Sequence, residues 1–293
     1  MPTLSVCMIV KNEEKHLKNA LSSIKDLADE IIIVDTGSSD NTKEIASTFT
    51  QKIYDYTWND NFAEARNFSL QHATSDWILI LDADETLSKV DNQRIVSLIK
   101  EAPREISGFI MTQRNYVSSQ EHLNLGKINH LNIKDSGQSN QGFLTNENDT
   151  YGVSKFFAGW IPTPIVRLFR KQNAQFKGII HEDIIPSLKG TILKTPIQIH
   201  HFGKTDEVSW KAKWDFYEQL AEKKAKQEQD YHADFELGRQ YLASQKLDKA
   251  QTMFLKSITK NDQFWLSWFN LGSIHLLENK LETALTYLNK AKE

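Results

Sequence analysis

The sequence predicts an α/β protein in which a Rossmann-like mixed sheet fills the first two thirds and an all-α segment follows. Three observations predict it. Apolar runs closed by polar turns alternate with amphipathic stretches from Leu4 to Asp82, the pattern of a doubly wound sheet. Each of the buried runs Leu4–Val10, Glu30–Val34 and Ile78–Asp82 ends in a loop of Asp, Asn, Ser or Glu. From about Glu207 the chain turns helical and charged, with aromatic and Leu residues at helical spacing.

Leu4 to Val10 read as a first strand, which stops at Lys11-Asn12-Glu13-Glu14. A helix follows with Leu17, Leu21, Ile24 and Leu27 on one face. Glu30 to Val34 form the second strand, and Asp40 is the expected N-cap of a helix carrying Ile45 and Phe49. A short strand over 52–54, a helix over 63–72 and a strand ending at Asp82 complete the alternation. A helix near 90–101 and a strand over 108–113 come next. Residues 117–155 are polar and aperiodic, as in a lid or binding insertion. Strand-like runs resume at 165–169, 179–184 and 196–202.

The C-terminal segment repeats. Leu237-Gly238, Tyr241, Ala250 and Phe254 recur as Leu271-Gly272, His275, Ala284 and Leu288, a shift of 34 residues each time. That period and its small residues resemble tetratricopeptide repeats, with repeats at about 231–264 and 265–293. The expected division is 1–205 for the sheet domain and 206–293 for the helical one. The repeats suit an extended peptide or a second copy of the chain, a homodimer.

Composition excludes several classes. A net charge of −3 gives no reason to expect nucleic-acid binding. Cys7 is the single cysteine, so an intrachain disulfide is impossible, and its apolar run reads as a buried, inert thiol. No secretory leader or membrane-spanning run is visible, so a cytoplasmic location is expected.

The chemistry concentrates in the loops after three parallel strands: Asn12-Glu13-Glu14, Asp35 to Asp40, and Asp82-Ala83-Asp84-Glu85. All three fall on one edge of the sheet, where open α/β sheets bind ligands. Neither a dinucleotide glycine motif nor a P-loop is present. Carboxylates without a glycine cradle can hold a diphosphate through a divalent cation. Taken singly, Asp35 reads equally as an Asx-turn, Arg66 as a surface helix arginine, and Asp82-Ala83-Asp84 as a solvated turn.

Val10-Lys11-Asn12-Glu13, Val34-Asp35-Thr36-Gly37-Ser38-Ser39-Asp40-Asn41-Thr42, Ala65-Arg66-Asn67 and Leu81-Asp82-Ala83-Asp84-Glu85 resemble the ordered motifs of family 2 glycosyltransferases of the GT-A fold. The resemblance covers about residues 3–205. The subgroup it resembles carries C-terminal tetratricopeptide repeats. That subgroup includes bacterial enzymes that glycosylate peptides or proteins, among them bacteriocin S-glycosyltransferases, and enzymes of surface polysaccharide assembly.

The resemblance implies an inverting transfer from a UDP-sugar of glucose or GlcNAc type, with Mn²⁺ or Mg²⁺ as cofactor. A peptide or protein is the first expected acceptor and a saccharide or lipid-linked acceptor the second. A third possibility, from another class, is an inactive scaffold acting through its repeats. By the same resemblance Asp35 meets the uracil, with Val10 and Glu13 near base and ribose. Arg66 helps hold the nucleotide, Asp82 and Ala83 sit by the ribose or sugar, and Asp84 binds the metal. The general base falls in His181-Glu182-Asp183, with Glu182 first and Asp183 the alternative. His201 is a further metal ligand or else a structural histidine, and His200 points to the opposite face. Arg167 and Arg170 neutralise diphosphate charge or form surface salt bridges.

Overall fold

The computed structural model of the protein describes residues 1–117, 144–146, 149–180, 182–203 and 207–292. His181 and most of the polar stretch 117–155 lie outside the described residues. Two compact units are present, one spanning 1–118 with 143–205 and the other holding 206–293.

In the first unit, β1 (Leu4–Val10), β2 (Glu30–Asp35) and β4 (Trp77–Ile80) are buried almost throughout. Burial on both faces is why these runs are apolar rather than alternating. With β3 (Ile53–Asp55) they pair in parallel in the order β3-β2-β1-β4. The sheet continues through β8 (Gly159–Arg170), β6 (Ile106–Val117), β9 (Thr191–His201) and β5 (Glu85–Leu87), while β7 (Leu144–Thr145) pairs with β8. Strand β8 is antiparallel to β4 and β6, and β9 is parallel to β6 and antiparallel to β5.

Strand parity divides the core. Leu4, Val6, Met8 and Val10 pack with α1 (Leu17–Ile24) and α4 (Lys89–Glu101) on one face. Cys7, Ile32, Ile78 and Ile80 pack with α3 (Phe62–His72) and Phe176 on the other. Each fully buried Leu or Ile of these layers contributes about 1.5–3 kcal/mol. Burial pushes the Cys7 thiol up to about 12, so the inert reading of this cysteine stands.

The boundaries differ from expectation in several places. Strand β5 is unexpected, and β8 and β9 start at Gly159 and Thr191, ahead of the expected 165 and 196. Strand β4 stops at Ile80, two residues before Asp82, because the chain turns: Glu85 N–H donates to the Asp82 carbonyl at 3.0 Å. The N-cap of α2 (Thr42–Ser47) is Asn41, while Asp40 accepts from Thr42 N–H at 3.0 Å and from Glu14 N–H at 3.1 Å. Strand β6 runs on to Val117, four residues past the expected end. Among the described residues of 179–184 no strand forms. Gly178 takes φ 100°, and Lys177 and Asp183 exchange main-chain hydrogen bonds of 2.9 and 3.0 Å across the turn. The apolar residues that mimic a strand there, Ile180 and Ile184, are both buried, and Ile184 anchors the loop in the sheet core.

The second unit contains α5 (Glu207–Glu228), α6 (Tyr231–Ala243), α7 (Leu247–Lys260), α8 (Trp265–Leu277) and α9 (Leu281–Lys292). The starts of α6 and α7 recur 34 residues later as those of α8 and α9, as the sequence period predicts. Gln245 and Asn279, also one period apart, both turn the chain with φ near 58–59°. The small residues explain themselves: a Cβ on Gly238 would lie 2.8 Å from the Phe254 ring, and one on Gly272 2.7 Å from Leu288. Among the described residues no helix is long and apolar enough to cross a membrane.

Candidate active site

Val10 and Asp35 are register partners at the ends of β1 and β2, and Thr36 N–H donates to the Val10 carbonyl at 2.9 Å. Just beyond, Asn12 adopts φ 55°, a conformation asparagine tolerates better than most residues. There its N–H donates to Ser38 Oγ at 2.9 Å and its side-chain oxygen accepts from Ser39 N–H at 2.8 Å. Glu13 N–H donates to Thr42 Oγ1 at 2.7 Å. The two loops therefore form one wall.

Asp35 is fully buried behind that wall. Its Oδ1 accepts from Gly37 and Ser38 N–H at 2.9 and 2.8 Å, which is an Asx-turn. The turn uses only half of the carboxylate. Among the described residues Asp35 Oδ2 is buried with no hydrogen-bond partner. An unmet buried acceptor costs about 1–3 kcal/mol, so this oxygen calls for an N–H or O–H donor from a ligand.

Helix α3 supplies the next component. Asn61 caps it by accepting from Glu64 N–H at 3.1 Å. Arg66 then falls on the buried face, so it is not a surface arginine. Asn67 fastens the loop after β8 to this helix, exchanging bonds of 2.9 and 2.8 Å with the main chain of Phe176. That brings Glu182 to Arg66. Nε of Arg66 is 2.5 Å from Glu182 Oε1, and Nη2 is 2.9 Å from Asp82 Oδ1. Arg66 Nη1 is buried without a partner among the described residues. Asp183 is exposed, and its Oδ1 accepts from Ile185 N–H at 2.9 Å, an Asx-turn leading into a short 3₁₀ turn whose N-cap is Ile184.

Arg167, on β8, donates to Asp82 Oδ2 at 2.6 Å and reaches Glu85 Oε1 at 3.4 Å. Burial works against ionising Asp82, but Arg167 and Arg66 outweigh it and hold the carboxyl far below the usual range. Glu85 is fully buried, and burial pushes its carboxyl above the usual range despite Arg167. Arg170 takes no part in the site. It donates to the carbonyls of Ala102, Pro103 and Ile106 and lies over Trp77, closing the C-terminal end of α4.

The candidate metal ligands meet where Asp84 leads into β5 and His201 ends β9. Asp84 Oδ2 lies 3.4 Å from His201 Nε2. The main chain fixes the approach, because Phe202 N–H donates to the Asp84 carbonyl at 3.0 Å. Gly203 leaves room in front of both groups: a Cβ there would fall 2.1 Å from Asp84 Oδ2 and 2.8 Å from His201 Nε2. One carboxylate and one imidazole suit Mn²⁺ or Mg²⁺ as a partial shell that substrate oxygens would complete. Among the described residues no three His, Cys, Asp or Glu side chains gather into a complete protein cage. The pair fits a cation shared with a substrate better than a resident structural metal.

The remaining expected site residues are less direct. The side chains of Val10 and Ala83 belong to the core, so each offers a ligand only its main chain. His200 is buried on the other face, 2.7 Å from the Tyr116 hydroxyl, as alternation predicts. Burial lowers its pKa to about 4, which keeps it neutral. Sequence reasoning assigns nothing to Gln113 and Asn115, yet both enter the site, Gln113 on Glu85 at 2.5 Å and Asn115 on His201 at 2.8 Å. The usable signal was a pair of amides spaced by two residues inside a strand, which shares one face. An expected strand end at Gln113 concealed it.

The model of the family described as glycosyl transferase family 2 matches residues 5–159. A TPR repeat-containing protein of Synechococcus elongatus is 48% identical over 87 residues, 30% of this chain and 22% of its own length. The SPbeta prophage-derived glycosyltransferase SunS of Bacillus subtilis is 38% identical over 101 residues, 34% of this chain and 24% of its own length. The chain thus spans less than a quarter of the length of these curated relatives. Among solved structures, S. aureus TarS 1-349 in complex with UDP-GlcNAc aligns at 13% identity and TM-score 0.49, over 99% of this chain and 91% of that one.

Proposed function

Because the chain belongs to glycosyl transferase family 2, we propose that it is an inverting, metal-dependent transferase that moves a sugar from a UDP-sugar to a peptide or protein. The observation that carries this reading is the unpartnered, buried Asp35 Oδ2 at the end of β2. The imide N–H of a uracil ring is the kind of donor it lacks. The two loops stitched around it, with Val10 and Glu13, would line the base and ribose.

The diphosphate would lie toward Arg66 and Arg167, whose Nη1 and Nε respectively are buried donors without a partner among the described residues. Asp82 and the main chain of Ala83 would border the ribose or sugar. Asp84 and His201 would hold a cation, which when bound stabilises negative charge on the departing diphosphate. Glu182 would accept the proton of the acceptor as its nucleophile attacks the anomeric carbon. The bond from that carbon to the diphosphate oxygen breaks, UDP leaves, and attack from the opposite side inverts the centre. Asp183 suits this role less well, because it is exposed and its Oδ1 is engaged by Ile185 N–H.

The peptide or protein acceptor rests on the repeated helical hairpins, since such repeats commonly hold extended chains. Division into a transferase domain at 1–205 and a helical acceptor-binding domain at 206–293 follows the same reasoning. Calorimetric titration with UDP, with and without Mn²⁺, on wild type and Asp84→Ala, tests the reading. Binding that needs Mn²⁺ and is lost in the variant supports it. Equal binding with and without metal removes the cation, and no binding at all removes the nucleotide.

A further inference from the structure

A directional chain of side-chain hydrogen bonds runs beneath the Asp84–His201 pair. Gln113 Nε2 donates to Glu85 Oε1 at 2.5 Å, and Asn115 Nδ2 donates to Gln113 Oε1 at 3.3 Å. Asn115 Oδ1 then faces His201 Nδ1 at 2.8 Å. The strand register builds this line. Asn115 and His201 are partners between β6 and β9, and Glu85 and His201 are partners between β5 and β9.

The orientation of the Asn115 amide is settled by its other contacts. Its Nδ2 lies 3.2 Å from the Ile161 carbonyl and 3.1 Å from Thr163 Oγ1. A main-chain carbonyl can only accept, so the NH₂ group must face β8 and the oxygen must face the imidazole. An amide oxygen likewise can only accept. The Asp84 carboxylate also only accepts, but at 3.4 Å from Nε2 it competes weakly with the 2.8 Å contact at Nδ1. The proton of neutral His201 therefore sits on Nδ1, and Nε2 carries the lone pair on the side of Asp84 and Gly203.

We propose that Asn115 is a positioning residue that locks His201 as its Nδ1–H tautomer, aiming the Nε2 lone pair at the cation. The lock rests on the metal reading given above for its purpose, but not for its existence. Asn115 is 4% exposed and would touch neither nucleotide nor acceptor. It acts through His201 alone, as outer-shell partners of metal-binding imidazoles do.

Two measurements test it. In ¹⁵N-histidine-labelled, metal-free protein at about pH 8.5, where an ordinary imidazole is neutral, His201 is assigned by difference against His201→Gln. A protonated Nδ1 and bare Nε2 are expected in wild type, and an Nε2–H tautomer overturns the lock. Mn²⁺ affinity in the presence of UDP is then compared for Asn115→Leu, which lacks the acceptor, and Asn115→Asp, which keeps it. Weakening on the order of ten- to a hundred-fold is expected in the first, with recovery toward wild type in the second. A folded Asn115→Leu that binds Mn²⁺ like wild type overturns the proposal. If wild type itself shows no Mn²⁺-dependent binding, the metal reading fails, and the tautomer in the metal-free protein still decides the lock.

Discussion

Arg66 on α3 reaches across 116 residues of sequence to Glu182, with Nε 2.5 Å from Oε1. The side chain proposed to accept a proton is thus held by the same guanidinium that holds Asp82. On the proposed reading, acceptor activation and the floor of the donor site share one buried cation, and displacing Arg66 would disturb both.

The two candidate bases separate by substitution. Glu182→Gln keeps the shape and a contact with Arg66 but removes the proton acceptor, so transfer should fall roughly a hundred- to ten-thousand-fold. Asp183→Ala should leave turnover within a few-fold and cost about 1 kcal/mol through the lost hydrogen bond to Ile185 N–H. Initial rates of sugar transfer, with thermal unfolding of each variant, distinguish them. A collapse of turnover in Asp183→Ala with Glu182→Gln still active reverses the assignment.

Gly203→Ala is the smallest change that should empty the candidate cation site. The new methyl would stand 2.1 Å from Asp84 Oδ2, so the carboxylate must move. Mn²⁺-dependent UDP binding should weaken by at least about ten-fold, the range seen when metal surroundings are disturbed. Circular dichroism should be unchanged. Undiminished Mn²⁺ dependence in the titration would mean the cation sits elsewhere.

Acid stability should depend on Glu30, at the start of β2. Burial disfavours its charge, but hydrogen bonds from Lys52, Ser5 and Thr74 win and lower its pKa from 4.5 to about 2. A carboxyl depressed on folding stabilises the native state above its unfolded value. That contribution is lost as pH falls from about 4.5 toward about 2. Its size is about 2–3 kcal/mol from the shift. Urea unfolding from pH 6 down to the acid limit should show the loss, and Glu30→Gln should flatten it. Parallel curves for the two proteins would refute the assignment.

In the helical unit, Gly238→Val should destabilise by about 1–3 kcal/mol, because added carbon meets the fully buried Phe254 ring. The period predicts a like effect for Gly272→Val against Leu288. Thermal unfolding followed by circular dichroism reads both, and a neutral result at either would mean that the helices there separate freely.

The parallel half of the sheet is legible in the sequence because burial on both faces leaves uninterrupted apolar runs such as Ile31 to Val34. The repeated hairpins are legible because close helix packing at Gly238 and Gly272 forces a period on the residue sizes. The loop residues around Ile180 and Ile184 are not, since both are buried for a loop's reason, and apolar spacing alone cannot separate an anchor from a strand. At the site, the loops after β1, β2 and β4 announce themselves through clustered acids and amides. Gln113, Asn115 and the partners of Arg167 stay hidden, because their meaning arises from pairing β6 with β9 and β8, distant in sequence.

Cys7 lies in the middle of the central strand, 1% exposed, and the chain has no second thiol. Its chemistry makes the protein a natural opening gauge. A disulfide reagent can reach that sulfur only when β1 parts from its neighbours, so the labelling rate counts excursions of the whole sheet rather than fraying of its edges. Nucleotide bound at the ends of β1 and β2 should slow that clock in proportion to its occupancy, giving an affinity measurement that needs no engineered probe.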